Sequence, residues 1–417
     1  MRVPVHEATT AQLGAAYPFV ANPPLADRGV VVGQDLHGGP FLHDPFALYR
    51  SGVLTNPNMI VLGQIGRGKS SLVKTYCYRH AALGRRVVVL DPKGEYGPLA
   101  EALGTRPIRL APGGPLRLNP LEAPAGRRAG GDRGTGEETG RRRLALLAGL
   151  SSAALGRALH PVEHAALEVA LAEALPAGGR APTLRRVVAE LLAPGEGAWR
   201  VGLDGGVLAE GAREVALGLR RLVEGELRGM FDDATTSGLS LAGDVVVLDL
   251  SAVYHSSALG ALLTCAVGAL EASWREGGGR PTVLVVDEAW AVLDDLAVAR
   301  FLQSSWKLAR AHGVANVAVV HRVSDLASAG SAGSVAAKVA EGLLSDSETL
   351  VCYGQAPAEA ALAGEALGLT AREAALLTRL RRGVALWRVA GRSYLVEHRL
   401  APGEEALVDT DDRLRVG

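Results

Sequence analysis

The feature of the sequence that most constrains the fold is a glycine-rich run between an apolar segment and a segment with helical spacing. The apolar segment, residues 58–63, predicts a buried strand, and residues 70–83 predict a helix. Glycines in the run between them allow the backbone to curl, so that several N–H groups point inward at an anion. The helix that follows directs the positive end of its dipole at the same point. This succession predicts a phosphate-binding loop.

The run itself reads GQIGRGKS over residues 63–70 and matches the pattern G-x-x-x-x-G-K-[ST]. In this pattern Lys69 reaches the β- and γ-phosphates of a nucleotide, and the hydroxyl of Ser70 is a ligand for Mg²⁺. A chance glycine-rich turn is the alternative, but the flanking strand and helix argue against it. The spacing of the glycines also differs from that of a Rossmann dinucleotide-binding site. The predicted nucleotide-binding residues are Gly63, Gln64, Ile65, Gly66, Arg67, Gly68, Lys69, Ser70 and Ser71.

A second motif, residues 283–290, is an apolar strand that ends in two acidic residues. Ligands of parallel sheets bind at the carboxyl ends of the strands, so both acids are expected near the phosphates. We predict that Asp287 holds Mg²⁺ through water and that Glu288 polarises the attacking water as a catalytic general base. The alternative is an ordinary Asp-Glu cap of the element that follows the strand.

Two further catalytic candidates are weaker. His321 follows the predicted strand 315–320 and is placed to contact the γ-phosphate, although a histidine bonded to backbone is the alternative. Arg310 is a candidate arginine finger for a neighbouring subunit, with Arg322 and Arg382 as rivals and a solvated helix face as the alternative.

The segment Asp91-Pro-Lys-Gly-Glu-Tyr96 follows another predicted strand. Either Asp91 or Glu95 is placed to assist the metal ion or the water, and a turn built from Asp-Pro and Gly is the alternative. Only five of the 44 basic residues of the chain are lysines. A lysine kept in so arginine-rich a chain is more often one whose role arginine cannot fill.

Composition narrows the class of protein. Lys+Arg and Asp+Glu both total 44, so the net charge is zero, which argues against binding of nucleic acid through overall charge but not against a local basic channel. The three cysteines form no CxxC pair, which argues against a zinc site or a disulfide framework. No signal-peptide pattern opens the chain, and the longest apolar run, residues 258–270, is too short for a bilayer. We predict a cytoplasmic protein with no intrinsic membrane span.

Strand-like runs alternate with helical ones, which predicts an α/β fold with a mainly parallel sheet. The pattern is interrupted once, by a glycine-rich charged segment followed by purely helical spacing. Near the end, two strand-like runs flank Ala390-Gly391 and predict a β-hairpin. The predicted organisation is an N-terminal lead-in (1–50), a nucleotide-binding domain in two halves (51–123 and 240–400), a flexible loop (124–143), an all-α insertion (144–239) and a C-terminal tail (401–417).

Together these motifs resemble a known family. The segments NPNMIVLGQIGRGKSSLVKTYCYRHAALGRRVVVLDPKGEYGPLA (56–100), RLNPL (117–121), FDD (231–233), DEAW (287–290) and VAVVHRVSDL (317–326) are similar to ATPases of type IV secretion and conjugation systems. These ATPases form part of the FtsK/HerA superfamily of RecA-like P-loop motors, and the resemblance covers residues 41–400. Within this family, a chain that carries the segment Asp-Pro-Lys-Gly-Glu-Tyr, as this one does at residues 91–96, is similar to the conjugal-transfer ATPases of actinobacteria. Many relatives carry glutamine at the position of His321.

The resemblance implies an ATP-hydrolysing, Mg²⁺-dependent homo-hexamer at the cytoplasmic face of the membrane. Such a motor would power transfer of DNA or protein, or assembly of the channel, with subunits of that channel as partners. A soluble DNA translocase of the HerA or FtsK type remains an alternative. A nucleotide-gated ring subunit with little turnover is another.

Overall fold

The computed structural model describes residues 24–122, 133–176, 180–193, 201–254, 256, 259–274, 280–289, 303, 306–307, 309–324 and 342–409. These residues form eleven strands: β1 (Val30–Asp35), β2 (Pro40–His43), β3 (Met59–Leu62), β4 (Arg86–Asp91), β5 (Ile108–Arg109), β6 (Val245–Asp249), β7 (Thr282–Val286), β8 (Val314–Val320), β9 (Thr349–Tyr353), β10 (Val384–Val389) and β11 (Arg392–His398).

All eleven strands belong to one sheet, in the order β2-β1-β11-β10-β9-β3-β8-β7-β4-β6-β5. The seven strands from β9 to β5 run parallel to one another, whereas β10, β11, β1 and β2 continue the sheet antiparallel at one edge. The mainly parallel sheet is therefore confirmed. So is the β-hairpin, where Ala390 and Gly391 take the positive φ angles of 48° and 78° that a tight turn between strands requires.

The helices that the structure describes connect these strands. They are α1 (Pro45–Arg50), α2 (Lys69–Ala82), α3 (Gly97–Ala102), α4 (Arg133–Leu155), α5 (Pro161–Glu173), α6 (Leu184–Leu192), α7 (Gly205–Arg220), α8 (Leu259–Trp274), α9 (Pro357–Ala366), α10 (Ala371–Leu377) and α11 (Glu405–Val408). Between β5 and β6 the described residues form helices and no strand, as expected for the insertion. No helix among the described residues combines the length and apolarity that crossing a membrane requires.

The sheet is buried on both faces, which is why its parallel strands are continuous apolar runs. Val88 and Leu90 of β4 belong to the same hydrophobic cluster as Leu167 of α5 and Val215 of α7. On the other face, the alternate residues of the strands, including Val30 of β1 and Phe41 of β2, form a second hydrophobic cluster. Leu72 and Val73 of the phosphate-loop helix α2 belong to this cluster. The helical insertion therefore shares a core with the sheet.

The prediction of a flexible loop over 124–143 is wrong for residues 133–143, because α4 begins at Arg133. Residues 124–132 lie outside the described part of the chain. The charged residues that suggested a loop are good helix formers, and two of them bond to backbone carbonyl groups. Arg142 donates to the carbonyl of Glu122 at 2.6 Å, and Arg143 donates to that of Leu121 at 2.7 Å.

The N-terminal lead-in contributes more than its sequence indicates. From residue 24 onward it is described, and its strands β1 and β2 extend the main sheet beside β11. In the C-terminal tail, Glu404 forms an ion pair with Arg79 of α2 at 2.5 Å. Residues 1–23 and 410–417 lie outside the described residues, and the domain boundaries stay a prediction.

Candidate nucleotide-binding and catalytic site

The predicted site residues follow strands that are neighbours in the sheet. Leu62 of β3 pairs with Val320 of β8, and Val286 of β7 pairs with Ala318 of β8 and with Leu90 of β4. Since these strands are parallel, the residues that follow them lie at one edge of the sheet. We call this edge, comprising residues 63–71, 91–96, 287–288 and 321, the site edge.

The phosphate loop requires glycine at defined positions. Gly63 has a φ of 153°, and a Cβ atom there would lie 2.4 Å from the Cβ of Tyr353. Gly66 and Gly68 have φ angles of 78° and 112°, in the region that L-residues rarely adopt. Two backbone bonds anchor the loop, from the N–H of Gln64 to a carbonyl after β9 at 3.2 Å and from the N–H of Gly383 to the carbonyl of Arg67 at 3.0 Å.

Lys69 lies inside the curl of this loop. Its ammonium group donates to the carbonyl oxygens of Gly63 and, at 3.1 Å, of Gln64, and only 5% of the residue is exposed. Helix α2 begins at Lys69, and its N-cap Gly68 makes no side-chain cap hydrogen bond. Ser70 and Ser71 are half-buried in the first helical turn. A cation and the start of a helix therefore meet where the sequence predicts phosphates.

Asp287 and Glu288 are both buried at the end of β7, with 5% and 3% of each residue exposed. Burial, and then the negative charge of Glu288, raise the pKa of Asp287 to about 6. The backbone N–H of Glu288 donates to Asp287 Oδ1 at 2.9 Å. Glu288 has a φ of 53°, a left-handed conformation that is strained for a residue other than glycine.

The carboxylate of Glu288 meets two side chains from neighbouring strands. His321 Nε2 lies 2.8 Å from Glu288 Oε1, where an Nε2–H can donate a hydrogen bond. Lys93 forms an ion pair with the same oxygen. Burial alone would lower the pKa of Lys93, but the hydrogen bond and charge of Glu288 outweigh burial and raise it. The structure thus brings together the two predicted residues and one that sequence reasoning missed.

The residue that sequence reasoning missed is Lys93, and the scarcity of lysine in the chain is the signal that could have found it. Three of the five lysines of the chain, Lys69, Lys74 and Lys93, lie at or directly beneath the site edge. Lys74 lies on α2, fully buried, with its ammonium group 5.5 Å from the ring centroid of Tyr96. Burial lowers the pKa of Lys74, and the charges of Glu95, Asp91 and Asp287 oppose that shift.

Asp91 stabilises the turn after β4, and a role toward the metal ion or the water stays a prediction. Its carboxylate accepts hydrogen bonds from the backbone N–H groups of Lys93 at 3.2 Å, Gly94 at 2.8 Å and Tyr96 at 2.9 Å. The alternative interpretation, a turn built on Asp-Pro and Gly, is the one that the structure supports. Glu95, half-buried in the same turn, contributes negative charge next to Lys74 and Lys93.

Arg310 is not brought to this edge. It lies in the helical turn Ala309–His312 just before β8, at the amino end of the strand and so at the opposite edge of the sheet. Its side chain is outside the described residues. Arg322 and Arg382 are both exposed. A role for any of them toward a neighbouring subunit stays a prediction.

The oxygen ligands at the site edge suit Mg²⁺ bound together with a nucleotide. Among the described residues no group of three His, Cys, Asp or Glu side chains could hold a metal ion. Mg²⁺ usually takes one or two protein oxygens and completes its shell with water and substrate phosphates. A buried carboxylate with a raised pKa, as at Asp287, is the kind of group whose charge a cation would compensate.

Strand, phosphate loop and helix, set beside a strand that ends in two acids, define a P-loop nucleotide-binding fold. A family model described as an AAA-like domain matches residues 50–111. A structure of VirB4 from Thermoanaerobacter pseudethanolicus is similar with a TM-score of 0.71 and 24% identity, over 92% of this chain and 100% of that one. No curated protein sequence matches the chain.

Two structures of the plasmid coupling protein TrwB are also similar. The complex with ADP and Mg²⁺ has a TM-score of 0.58 and 16% identity, over 94% of this chain and 93% of that one. The complex with the non-hydrolysable ATP analogue ADPNP has a TM-score of 0.54 and 17% identity, over the same shares of 94% and 93%. These likenesses confirm the predicted RecA-like P-loop fold.

Proposed function

We propose that the chain is an ATP-hydrolysing motor of a conjugation or type IV secretion apparatus. One observation carries the proposal. A glycine-shaped phosphate loop with a buried lysine lies at the same sheet edge as a buried Asp-Glu pair. The fold shared with VirB4 and with the coupling protein TrwB supports the choice of apparatus.

The proposed reaction is transfer of the γ-phosphoryl group of ATP to water. In it, Lys69 and the N–H groups of residues 63–71 bind the phosphates and neutralise charge that develops on them. Glu288 orients the attacking water and takes its proton as general base. His321, hydrogen-bonded to Glu288, is placed between that carboxylate and the phosphate loop, because β8 lies between β7 and β3.

Ser70 and Asp287 would hold Mg²⁺, Ser70 through its hydroxyl and Asp287 through water. When bound, the ion supplies positive charge to the phosphate oxygens. The roles of these two residues, like those of Lys69, Glu288 and His321, are part of the proposal.

The wider setting is also proposed. We infer a homo-hexamer that works at the cytoplasmic face of a membrane, with channel subunits as partners and DNA or protein as cargo. In such a ring, Arg310 at the opposite edge of the sheet would act on a nucleotide of a neighbouring subunit. The support is the likeness in fold to VirB4 and TrwB.

The test is phosphate release from ATP by the purified protein, with and without single- and double-stranded DNA, alongside its mass in solution. We expect Mg²⁺-dependent turnover that Lys69→Ala abolishes, and a mass about six times that of the 43.3 kDa chain. Strong stimulation by DNA alone would favour a free DNA translocase. Turnover no higher than that of Lys69→Ala would contradict the motor and favour a nucleotide-gated ring subunit.

A further inference from the structure

We propose that Lys93 is a positioning residue for Glu288, holding the carboxylate of the general base in the orientation that hydrolysis needs. The inference rests on the proposed function, because it assumes that Glu288 acts on water. It assigns a role to a residue that the phosphate-loop and acid-pair motifs do not contain. Three features of the structure carry it.

The first feature is the rigid setting of Lys93. It lies in the turn after β4, where the buried carboxylate of Asp91 accepts three backbone N–H groups, including that of Lys93 itself. Gly94, the next residue, has a φ of 72°, and a Cβ there would lie 3.1 Å from Ser251 Oγ. The backbone that carries Lys93 is therefore fixed to the sheet, so the ammonium group approaches Glu288 from a defined direction.

The second feature is the geometry at Glu288. The ammonium group of Lys93 and Nε2 of His321 both bind Oε1 of this carboxylate. Lys93 comes from the strand on one side of β7, and His321 comes from the strand on the other. Two donors that reach one oxygen from the strands on either side of β7 restrict the orientation of the side chain. Positioning of this kind lowers the cost of reaching the transition state.

The third feature is the burial of Glu288. With 3% of the residue exposed, its carboxylate has lost most of its water and needs a counter-charge nearby. Its φ of 53° also shows that the backbone is held in a conformation that it would not adopt alone. Lys93 supplies the counter-charge while 30% of its own side chain stays exposed. Lysine suits this position because its compact positive charge is carried by a flexible side chain.

The experiment compares Lys93→Met and Lys93→Arg in the full chain, with Lys307→Met as a matched control at an exposed lysine. We expect Lys93→Met to lower kcat for ATP by about 10- to 100-fold while the Kd of Mg·ATP changes less than about twofold. Lys93→Arg, which keeps the positive charge but not the compact shape of the ammonium group, should recover only part of that loss. Lys307→Met should match the wild type.

A double-mutant cycle separates this inference from the proposed function. If Lys93 acts through Glu288, adding Lys93→Met to Glu288→Gln should lower kcat no further. Additive losses would overturn the positioning role, and so would an unchanged or raised kcat in Lys93→Met alone. If Glu288→Gln itself left turnover intact, the proposed function would fail first. Thermal unfolding of each variant identifies any loss of kcat that is due to misfolding, and a Lys93→Met chain that does not fold would overturn the positioning role in favour of a structural one.

Discussion

The site edge and the junction that ties the helical insertion to the sheet both bury carboxylates, but Glu288 of the site edge has a strained backbone conformation and Asp232 of the junction does not. The junction comprises residues 117–122, 182–185 and 231–236. Its fully buried carboxylate, Asp232, forms ion pairs with Arg185 at 2.6 Å and with Arg117 at 3.4 Å. Asn119 donates to the carbonyl of Pro182 at 3.0 Å and accepts from the backbone N–H of Leu121.

Both regions contain buried polar atoms with no hydrogen-bond partner among the described residues, Nζ of Lys74 and Nδ1 of His321 at the site edge and Oδ1 of Asp232 and Nε of Arg117 at the junction. The two junction atoms, however, face each other as an ion pair at 3.4 Å. Glu288 is strained, and the loop glycines lie in conformations that other residues avoid. Removing one partner of a buried ion pair lowers the stability of the native state, whereas a strained backbone is typical of a place where a ligand binds. The difference predicts that mutations at the two places will fail in different assays.

The largest effect is expected at Lys69. Replacing it by alanine removes the ammonium group from the phosphate loop, so we expect ATP turnover to fall about 10³-fold and nucleotide affinity to fall with it. The free energy of unfolding without nucleotide should hold or increase, because a buried charge is lost. Phosphate release, binding of a fluorescent ATP analogue and urea unfolding measure the three quantities. Normal ATP affinity would contradict the nucleotide site.

At the junction the opposite pattern is expected. Asp232→Asn removes the counter-charge of Arg185 and Arg117, but their side chains are 56% and 42% exposed, so the free energy of unfolding should fall by about 1–2 kcal/mol. Nucleotide affinity should be unchanged. Asp233→Asn is the matched control, because this neighbouring aspartate is exposed and should lose less than about 0.5 kcal/mol. Equal stability of the two variants in urea would remove the contrast between the regions.

The same ion pairs predict a pH dependence of stability. Burial alone would raise the pKa of Asp232, but Arg185 and Arg117 outweigh burial and lower it. The stability that Asp232 contributes is therefore complete above its unfolded pKa of about 4 and is lost as the pH falls through the folded value. Urea unfolding between pH 7 and pH 3 should show a smaller loss of stability in Asp232→Asn than in the wild type. An identical slope would contradict this assignment.

A smaller effect is expected at His321. His321→Gln keeps an N–H that can reach Glu288, so kcat should fall less than about tenfold, which is the range of a single hydrogen bond. His321→Ala removes the donor and should lower kcat further, with nucleotide affinity kept in both variants. If glutamine and alanine were equivalent, the hydrogen bond to Glu288 would have no part in turnover.

The parts of the molecule that could be predicted are those set by local spacing. The phosphate loop, the Asp-Glu pair and most strands follow from patterns within a few residues. The partnership of Lys93 with Glu288 could not be predicted, because it depends on β4 and β7 becoming neighbours in the sheet. The helical start at Arg133 was missed for a related reason, since Arg142 and Arg143 find their carbonyl partners only in the folded chain.

Single-turnover hydrolysis by Glu288→Gln shows whether the site edge hydrolyses ATP through Glu288. The amide keeps the shape of the side chain but cannot accept the proton of water. If Glu288 is the general base, Mg·ATP affinity should stay within about threefold of the wild type and the rate of bond cleavage should be about 10²- to 10³-fold lower. Cleavage at the wild-type rate, with ATP bound normally, would contradict that role.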